Sequence, residues 1–226
     1  MAFKPAALDF LFENWSRNDR AWYHEHKDLY KSLIQEPFAQ LMEELRPTML
    51  AIDPQMDCSP KRISRVYRDA RVVGNGPFFR DHVWCSMGRG RDLYWGYPSF
   101  FIELSANGYR YGMGYYVPAK EALESIRNLI LAEDKAFLKA LRADKKQKSF
   151  HLAGESYKRN HYPSAPEAHQ DWLNRKEFCW LTDVMDDPSL YADDLSEKIA
   201  ADFKSIAPIY SFLIKAESIW RAGNEP

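Results

Sequence analysis

The sequence predicts an α+β fold with a mainly antiparallel central sheet and helices from both chain ends packed on it. Three observations carry that reading. Apolar residues recur at helical spacing over about 5–50 and again near the C-terminal end. The cleanest period-two alternation falls in the middle of the chain. An Asn-Gly pair there separates two β-like runs, which is a hairpin signature. Helices at both ends and strands between them define the class. The expected organisation is a single α+β domain over 1–226: N-terminal helices about 5–50, a sheet-rich middle about 60–117, and mixed helix and strand about 118–226.

Taken in order, Pro5 suits a first helical turn, and Leu8, Leu11, Phe12 and Trp15 follow at helical spacing. Asn18 or Asp19 is a candidate N-cap for a second amphipathic helix over 20–35. Pro37 opens a third helix, which Pro47 is expected to end or kink. Loop residues follow from Ile52. A short strand is expected over 62–67, a turn at Gly74-Asn75-Gly76-Pro77, a strand over 83–87, and a turn at GRGRD. In 99–105, Phe100, Ile102 and Leu104 share one face, opposite Ser99, Phe101, Glu103 and Ser105. Asn107-Gly108 and the run YRYGMGYYV complete the hairpin. Pro118 precedes a helix with Leu123, Ile126, Ile130 and Leu131. A second helical segment holds Phe137, Leu138 and Leu141 and leads to a basic DKKQK loop. Strands are expected over 150–155 and 178–184, a short helix over 166–174, and a long helical region over 195–220 with Pro208 as a boundary or kink.

Composition bounds the function. Hydrophobic residues make up 46% and aromatics 15% of the 226 residues, ample for a packed core and far from a disordered chain. The net charge of −1 argues against a long nucleic-acid duplex as partner, but it hides an asymmetry. From Lys61 to Arg91 stand eight Lys/Arg and two Asp/Glu, a local +6, whereas Asp183 to the end carries four Lys/Arg and nine Asp/Glu, a local −5. The three cysteines, Cys58, Cys85 and Cys179, share no CxxC spacing and suit a reducing compartment. No signal-peptide pattern opens the sequence, and no apolar run approaches the roughly 20 residues that span a bilayer. The expected setting is cytoplasmic, with no membrane, no metal and no cofactor.

Positive charge concentrates in RISRVYRDARVVGNGPFFRDH, residues 62–82. Arginine is a planar fork of donors that matches phosphate and carboxylate. Arg65, Arg68, Asp69, Arg71, Arg80 and His82 are therefore the candidate ligand-binding residues, with Lys158 and Arg159 as additions from a later loop. A regular strand would put Arg65 and Arg68 on opposite faces, and Arg65 and Arg71 converge only if the chain turns near Asp69. Asp69 is placed to pair with a neighbouring arginine and fix its rotamer. His82, Asp69 and Glu103 are the candidate acids or bases, and for Glu103 pairing with an arginine is the plainer role. Asn18, Arg20, Trp22, His26 and Lys27 form a second polar set. Trp22 and His26 are i, i+4 neighbours there, and a backbone-bonded histidine is the expected role. His24 and His26 point apart on a helix and make a poor chelate. Tyr109, Tyr111, Tyr115 and Tyr116 form a sheet-surface aromatic set of the kind that packs under helices.

Arg65, Arg68, Asp69 and Arg71 match an R-x-x-R-D-x-R block. With FKPAALDFL at the start, NDRAWYHEHKDLY, GMGYYVP and GESYKR in order along the chain, the sequence resembles domain-of-unknown-function family 2461, a family of conserved hypothetical proteins. In the family that block is followed by a lysine-containing turn and P-Y-K. Here Phe79-Arg80 stands for Tyr-Lys, and His82 matches a frequent histidine. The turn departs from the pattern: Gly74-Asn75-Gly76 stands where two lysines flank an aspartate, so either the pocket carries less charge on that side or backbone N–H groups replace it as anion donors. The resemblance brings no activity with it. Three readings follow: a module binding a small phosphate- or carboxylate-bearing ligand such as a nucleotide or phosphometabolite; a hydrolase or transferase acting on a phosphate or carboxylate ester; and an internal arginine ion-pair hub without a ligand.

Overall fold

The alternating middle of the chain forms strands β1 (His82–Gly88), β2 (Ser99–Ser105) and β3 (Gly108–Gly114), and later segments add β4 (His151–Ala153) and β5 (Cys179–Leu181). Among the described residues these make one five-stranded antiparallel sheet ordered β1-β2-β3-β5-β4. The fold is α+β. The structure is a computed structural model that describes residues 3–69, 71, 74, 76–90 and 96–222. The chain divides into two compact units: Met1–Met87, Phe101–Tyr111 and Asp183–Ala200 form the first, and Gly88–Phe100, Gly112–Thr182 and Ala201–Pro226 the second.

In the first unit, α1 (Ala6–Arg17) ends where Asn18 turns left-handed at φ 50° and returns its N–H to Asn14 O. Asp19 then caps α2 (Arg20–Glu25), its carboxylate accepting from Ala21 N at 2.8 Å and Trp22 N at 3.4 Å. The single helix expected over 20–35 is instead broken. At His26 the backbone leaves helical geometry, α3 (Lys27–Tyr30) follows, and Lys31–Gln35 form a π turn. Leu33 and Ile34, consecutive in the chain, are both buried at that wider turn. Next, α4 (Glu36–Ile52) runs straight through Pro47. The ring lies on the exposed side, where water can satisfy the carbonyl it leaves unbonded, and buried Met49 carries the helix onward.

The strand expected over 62–67 is a discontinuous arm. After a 3₁₀ turn at Pro60–Arg62, it pairs with the chain entering β1 through two isolated bridges, Ile63↔Cys85 and Tyr67↔Phe79. The interruption has a local cause. Ser64 N donates to Trp84 O at 2.7 Å, but the Trp84 N–H goes to the Ser64 hydroxyl at 2.9 Å, so a side chain replaces a ladder bond. The β2–β3 hairpin turns at Ala106-Asn107, and its burial alternates as expected, with Phe100, Ile102 and Leu104 inside. Gly108 opens β3 at φ 119°, and a Cβ there would overlap the Met185 carbonyl oxygen. Tyr109 and Tyr111 are buried, and the Tyr109 hydroxyl meets Ser189 Oγ at 2.5 Å, with Lys198 Nζ 3.0 Å from that oxygen.

The second unit contains α5 (Lys120–Leu131), α6 (Lys135–Lys146) and α7 (Glu167–Leu173). The α6 helix continues through Lys145 and Lys146, residues expected in a loop, since cations are favourable in a last helical turn. Asp134 caps α6 and receives Lys215 Nζ at 2.7 Å. Buried Trp180 donates Nε1–H to Asp144 at 2.7 Å, and Phe100 packs on Phe203 and Tyr210 at 4.8 and 5.1 Å between ring centres. The terminal helix, α8 (Leu195–Ala222), is continuous through Pro208, with Ile206, Ile209 and Tyr210 buried around it. Tyr115 is buried and Tyr116 is 71% exposed, so only part of that tyrosine set packs inside. Among the described residues no helix is long and apolar enough to cross a membrane.

Candidate functional site

The arginine arm is built on aromatic rings. Arg80, His82 and Trp84 are half-buried, and of the residues between and beside them Phe79, Val83 and Cys85 are buried while Asp81 is exposed. Under the arm, Phe79 lies 4.7 Å from Tyr67 and 5.3 Å from Tyr23, ring centre to ring centre, and Tyr23 stands edge-on to Tyr67 at 5.0 Å. Asn18, freed by its left-handed turn, accepts the Phe78 N–H at 2.7 Å, and the Arg20 guanidinium sits 4.1 Å over the Phe78 ring. The N-terminal helices thereby meet the arginine segment at Tyr67, Phe78 and Phe79.

Each cation on this bed has its own arrangement. Arg80 is structural in part: its Nη1 donates to Arg65 O at 2.7 Å and Tyr67 O at 3.1 Å, and its guanidinium lies 5.0 Å from the Trp84 ring centre. Arg68 donates Nε–H to Phe79 O at 3.1 Å, and its side chain is exposed. Asp69 accepts from Arg71 three times, from its backbone N–H at 2.9 Å, Nε at 3.2 Å and Nη2 at 2.9 Å. Those Arg71 bonds, with the Arg65 charge adding to them, hold the Asp69 carboxyl down to about 2. Arg71 through its bonds and Arg65 through its charge both bear on the Asp69 carboxylate. Arg65 and Arg68, expected on opposite strand faces, are both exposed because the arm is not a regular strand. The Arg65 guanidinium makes no hydrogen bond among the described residues.

His82 has a partner that sequence reasoning missed. Asp81 Oδ1 lies 2.7 Å from His82 Nδ1, and the imidazole is tilted over Trp84 at 5.4 Å. Burial works to raise the Asp81 carboxyl, but the His82 hydrogen bond and charge outweigh it, with Arg68 assisting, and hold Asp81 below the usual carboxylate range. An acid next to a histidine at an outward strand position was the available signal.

The remaining candidates fall elsewhere. Glu103 forms an ion pair with Arg110 at 2.7 Å, the pairing role expected of it. Lys158 and Arg159 belong to the second unit, exposed in the loop after β4, and are not among the residues the first unit brings together. Trp22 and His26 stack at 4.2 Å, with His26 Nδ1 2.8 Å from Trp22 O, the backbone-bonded role expected of that histidine. Asn75 and the Arg91-Asp92 end of the second turn lie outside the described residues. Among the described residues no three His, Cys, Asp or Glu side chains are placed to hold a metal ion.

Burial also sets an alkaline limit on this unit. It pushes the Tyr23 hydroxyl up to about 12, with the Tyr67 charge adding to the shift, and the Cys85 thiol up to about 12. Both groups fold neutral with pKa values above their ordinary 10.0 and 9.0, so their contribution is complete below those values and is lost as pH rises towards 12. Urea unfolding midpoints should therefore fall above about pH 9. Tyr23→Phe should flatten the part of that fall between 10 and 12, and an identical pH profile in the variant would contradict the assignment.

A family model described as conserved hypothetical protein (DUF2461) matches residues 6–212. No curated protein matches the chain.

Proposed function

The chain belongs to the DUF2461 family of conserved hypothetical proteins, and we propose that its arginine arm binds a small phosphate- or carboxylate-bearing ligand, a nucleotide or phosphometabolite, at an open surface site. The observation that carries this reading is Arg65, an exposed guanidinium without a hydrogen-bond partner among the described residues, three positions before Arg68, whose side chain donates only its Nε. The carboxylates within reach are already engaged, Asp69 by Arg71 and Asp81 by His82. The fork geometry of arginine suits a tetrahedral or planar oxyanion. Cys58, Cys85 and Cys179 form no disulfide, and Cys58 and Cys85 are buried, which supports a cytoplasmic setting.

A thermal-shift panel of nucleotides and phosphometabolites tests the reading. At least one ligand should raise the melting temperature of the wild type, and Arg65→Ala should remove that rise without lowering the unliganded melting temperature. No shift from any ligand, or an undiminished shift in Arg65→Ala, would overturn it.

The Asp81–His82 pair favours a second reading, a hydrolase or transferase acting on a phosphate or carboxylate ester. With Nδ1–H donated to Asp81, His82 Nε2 presents a lone pair as general base, and Arg68 neutralises charge on the ester. In a hydrolase screen, His82→Ala and Asp81→Asn should both lose activity. Activity unchanged in both removes this reading and leaves the binding site as it stands.

A further inference from the structure

The second unit holds a groove of about 400 Å³ between the C-terminal end of α5 and the loop that leads into α7. That volume lies in the range of small-molecule sites. Its loop wall is fixed in advance by three side-chain amides. Asn174 Oδ1 accepts the His161 N–H at 2.8 Å, and Asn160 Oδ1 accepts the Tyr162 N–H at 2.8 Å. Asn174 Nδ2 donates to Asn160 Oδ1 at 2.9 Å, Asn160 Nδ2 to Gln170 Oε1 at 2.8 Å, and Gln170 Nε2 to Ala165 O at 2.8 Å. Pro163 and Pro166 stiffen the same stretch, and the His161 ring is held in a stack on Tyr157 at 4.4 Å. A loop pinned in this way keeps its shape without a ligand, which lowers the ordering cost of binding one.

Two polar side chains dominate this groove, one nearly buried and one charged. His169 is 7% exposed and lines the groove, with its ring edge-on to Phe137 at 4.8 Å, yet its imidazole makes no hydrogen bond among the described residues. Glu133, on the opposite wall, sits at φ 50°, a left-handed position just past α5 that glycine fills without strain. Its carboxylate pairs with no lysine or arginine among the described residues, and no lysine or arginine lines the groove. The apolar wall is Leu131, 54% exposed, together with the two prolines. The groove thus offers one negative charge at Glu133, a nearly buried imidazole at His169 with a second, exposed one at His161, and an apolar wall.

We propose that this groove binds a small organic cation: a ligand with an apolar ring body, an ammonium group for Glu133, and an N–H or O–H for His169. The site is independent of the arginine arm and takes the opposite charge.

Three probes sharing an indole body test it on the full chain by calorimetric titration. Tryptamine carries an ammonium, tryptophol a hydroxyl and indole-3-propionate a carboxylate. Tryptamine should bind tighter than tryptophol by up to about fivefold, the upper end of the range expected for one exposed ion pair, and indole-3-propionate should bind weakest. Glu133→Gln should abolish the preference for tryptamine. Glu133→Gly should abolish it and also raise the melting temperature, because glycine relieves the left-handed residue. That pairing separates lost binding from lost folding. His169→Phe keeps the packing on Phe137 and should weaken tryptamine and tryptophol alike. The proposal fails if indole-3-propionate binds as well as tryptamine, if tryptamine does not bind, or if Glu133→Gln leaves the preference intact.

Discussion

Gly112→Val should detach β5 from β3 and lower stability by about 3 kcal/mol or more, the upper range for overpacking, because the clash falls on backbone. In the β3–β5 register Gly112 faces Leu181, and Gly114 faces Cys179. A Cβ on Gly112 would overlap the Trp180 carbonyl oxygen and stand 3.1 Å from Leu181 Cδ2. One on Gly114 would overlap the Phe178 carbonyl oxygen and stand 2.6 Å from Cys179 Cα. A rotamer change cannot move a carbonyl, so the strands must part. β4 is paired to the sheet through β5 and would leave with it. Urea unfolding followed by tryptophan fluorescence reports the change directly, since Trp180 is fully buried on β5. A loss under about 1 kcal/mol would contradict the close approach of the two strands at Gly112.

Phe79→Ala should cost about 3–5 kcal/mol, as deletion of a fully buried aromatic ring does, and should weaken anion binding although no charge is removed. The ring has no exposed surface and packs on Tyr23 and Tyr67, while the Phe79 carbonyl accepts Arg68 Nε–H and its backbone bridges Tyr67. Without the ring, the arm that aims Arg65 and Arg68 loses its floor. Chemical denaturation gives the first quantity and ligand titration the second. Full stability would refute the aromatic floor, and full affinity at reduced stability would show that the arm holds its shape without it.

Much of this molecule is legible in its sequence wherever one face is buried and the other is not. The 99–105 alternation maps directly onto β2 because register in a half-buried strand is dictated by burial. Asp19 caps α2 as its side chain suggests. Pro47 and Pro208 show local rules overridden, since buried neighbours such as Met49 and Ile209 hold a helix together past a missing donor. The broken pairing of the arm rests on one serine hydroxyl, which no periodicity reports. At the site, the charge excess and the R-x-x-R-D-x-R block single out Arg65, Arg68, Asp69 and Arg71, and short-range spacing foretells the Asp69 pairing. Asp81 escaped notice as an acid within a basic run, although it orients His82. The Asn18 bond to Phe78 joins residues 60 positions apart, and local pattern carries no trace of it. Lys158 and Arg159 look like neighbours of the basic stretch by charge alone, yet belong to the other unit.

Pyrophosphate titrated calorimetrically into wild type and the Arg65→Ala/Arg68→Ala double variant tests the anion site proposed at Arg65 and Arg68. Wild type should bind, with affinity falling as salt is raised, and the double variant should bind at least about 10-fold more weakly, as expected for losing charge-assisted hydrogen bonds of about 1.5–3 kcal/mol. Equal affinity in the two proteins, or no binding by the wild type at low salt, would contradict it.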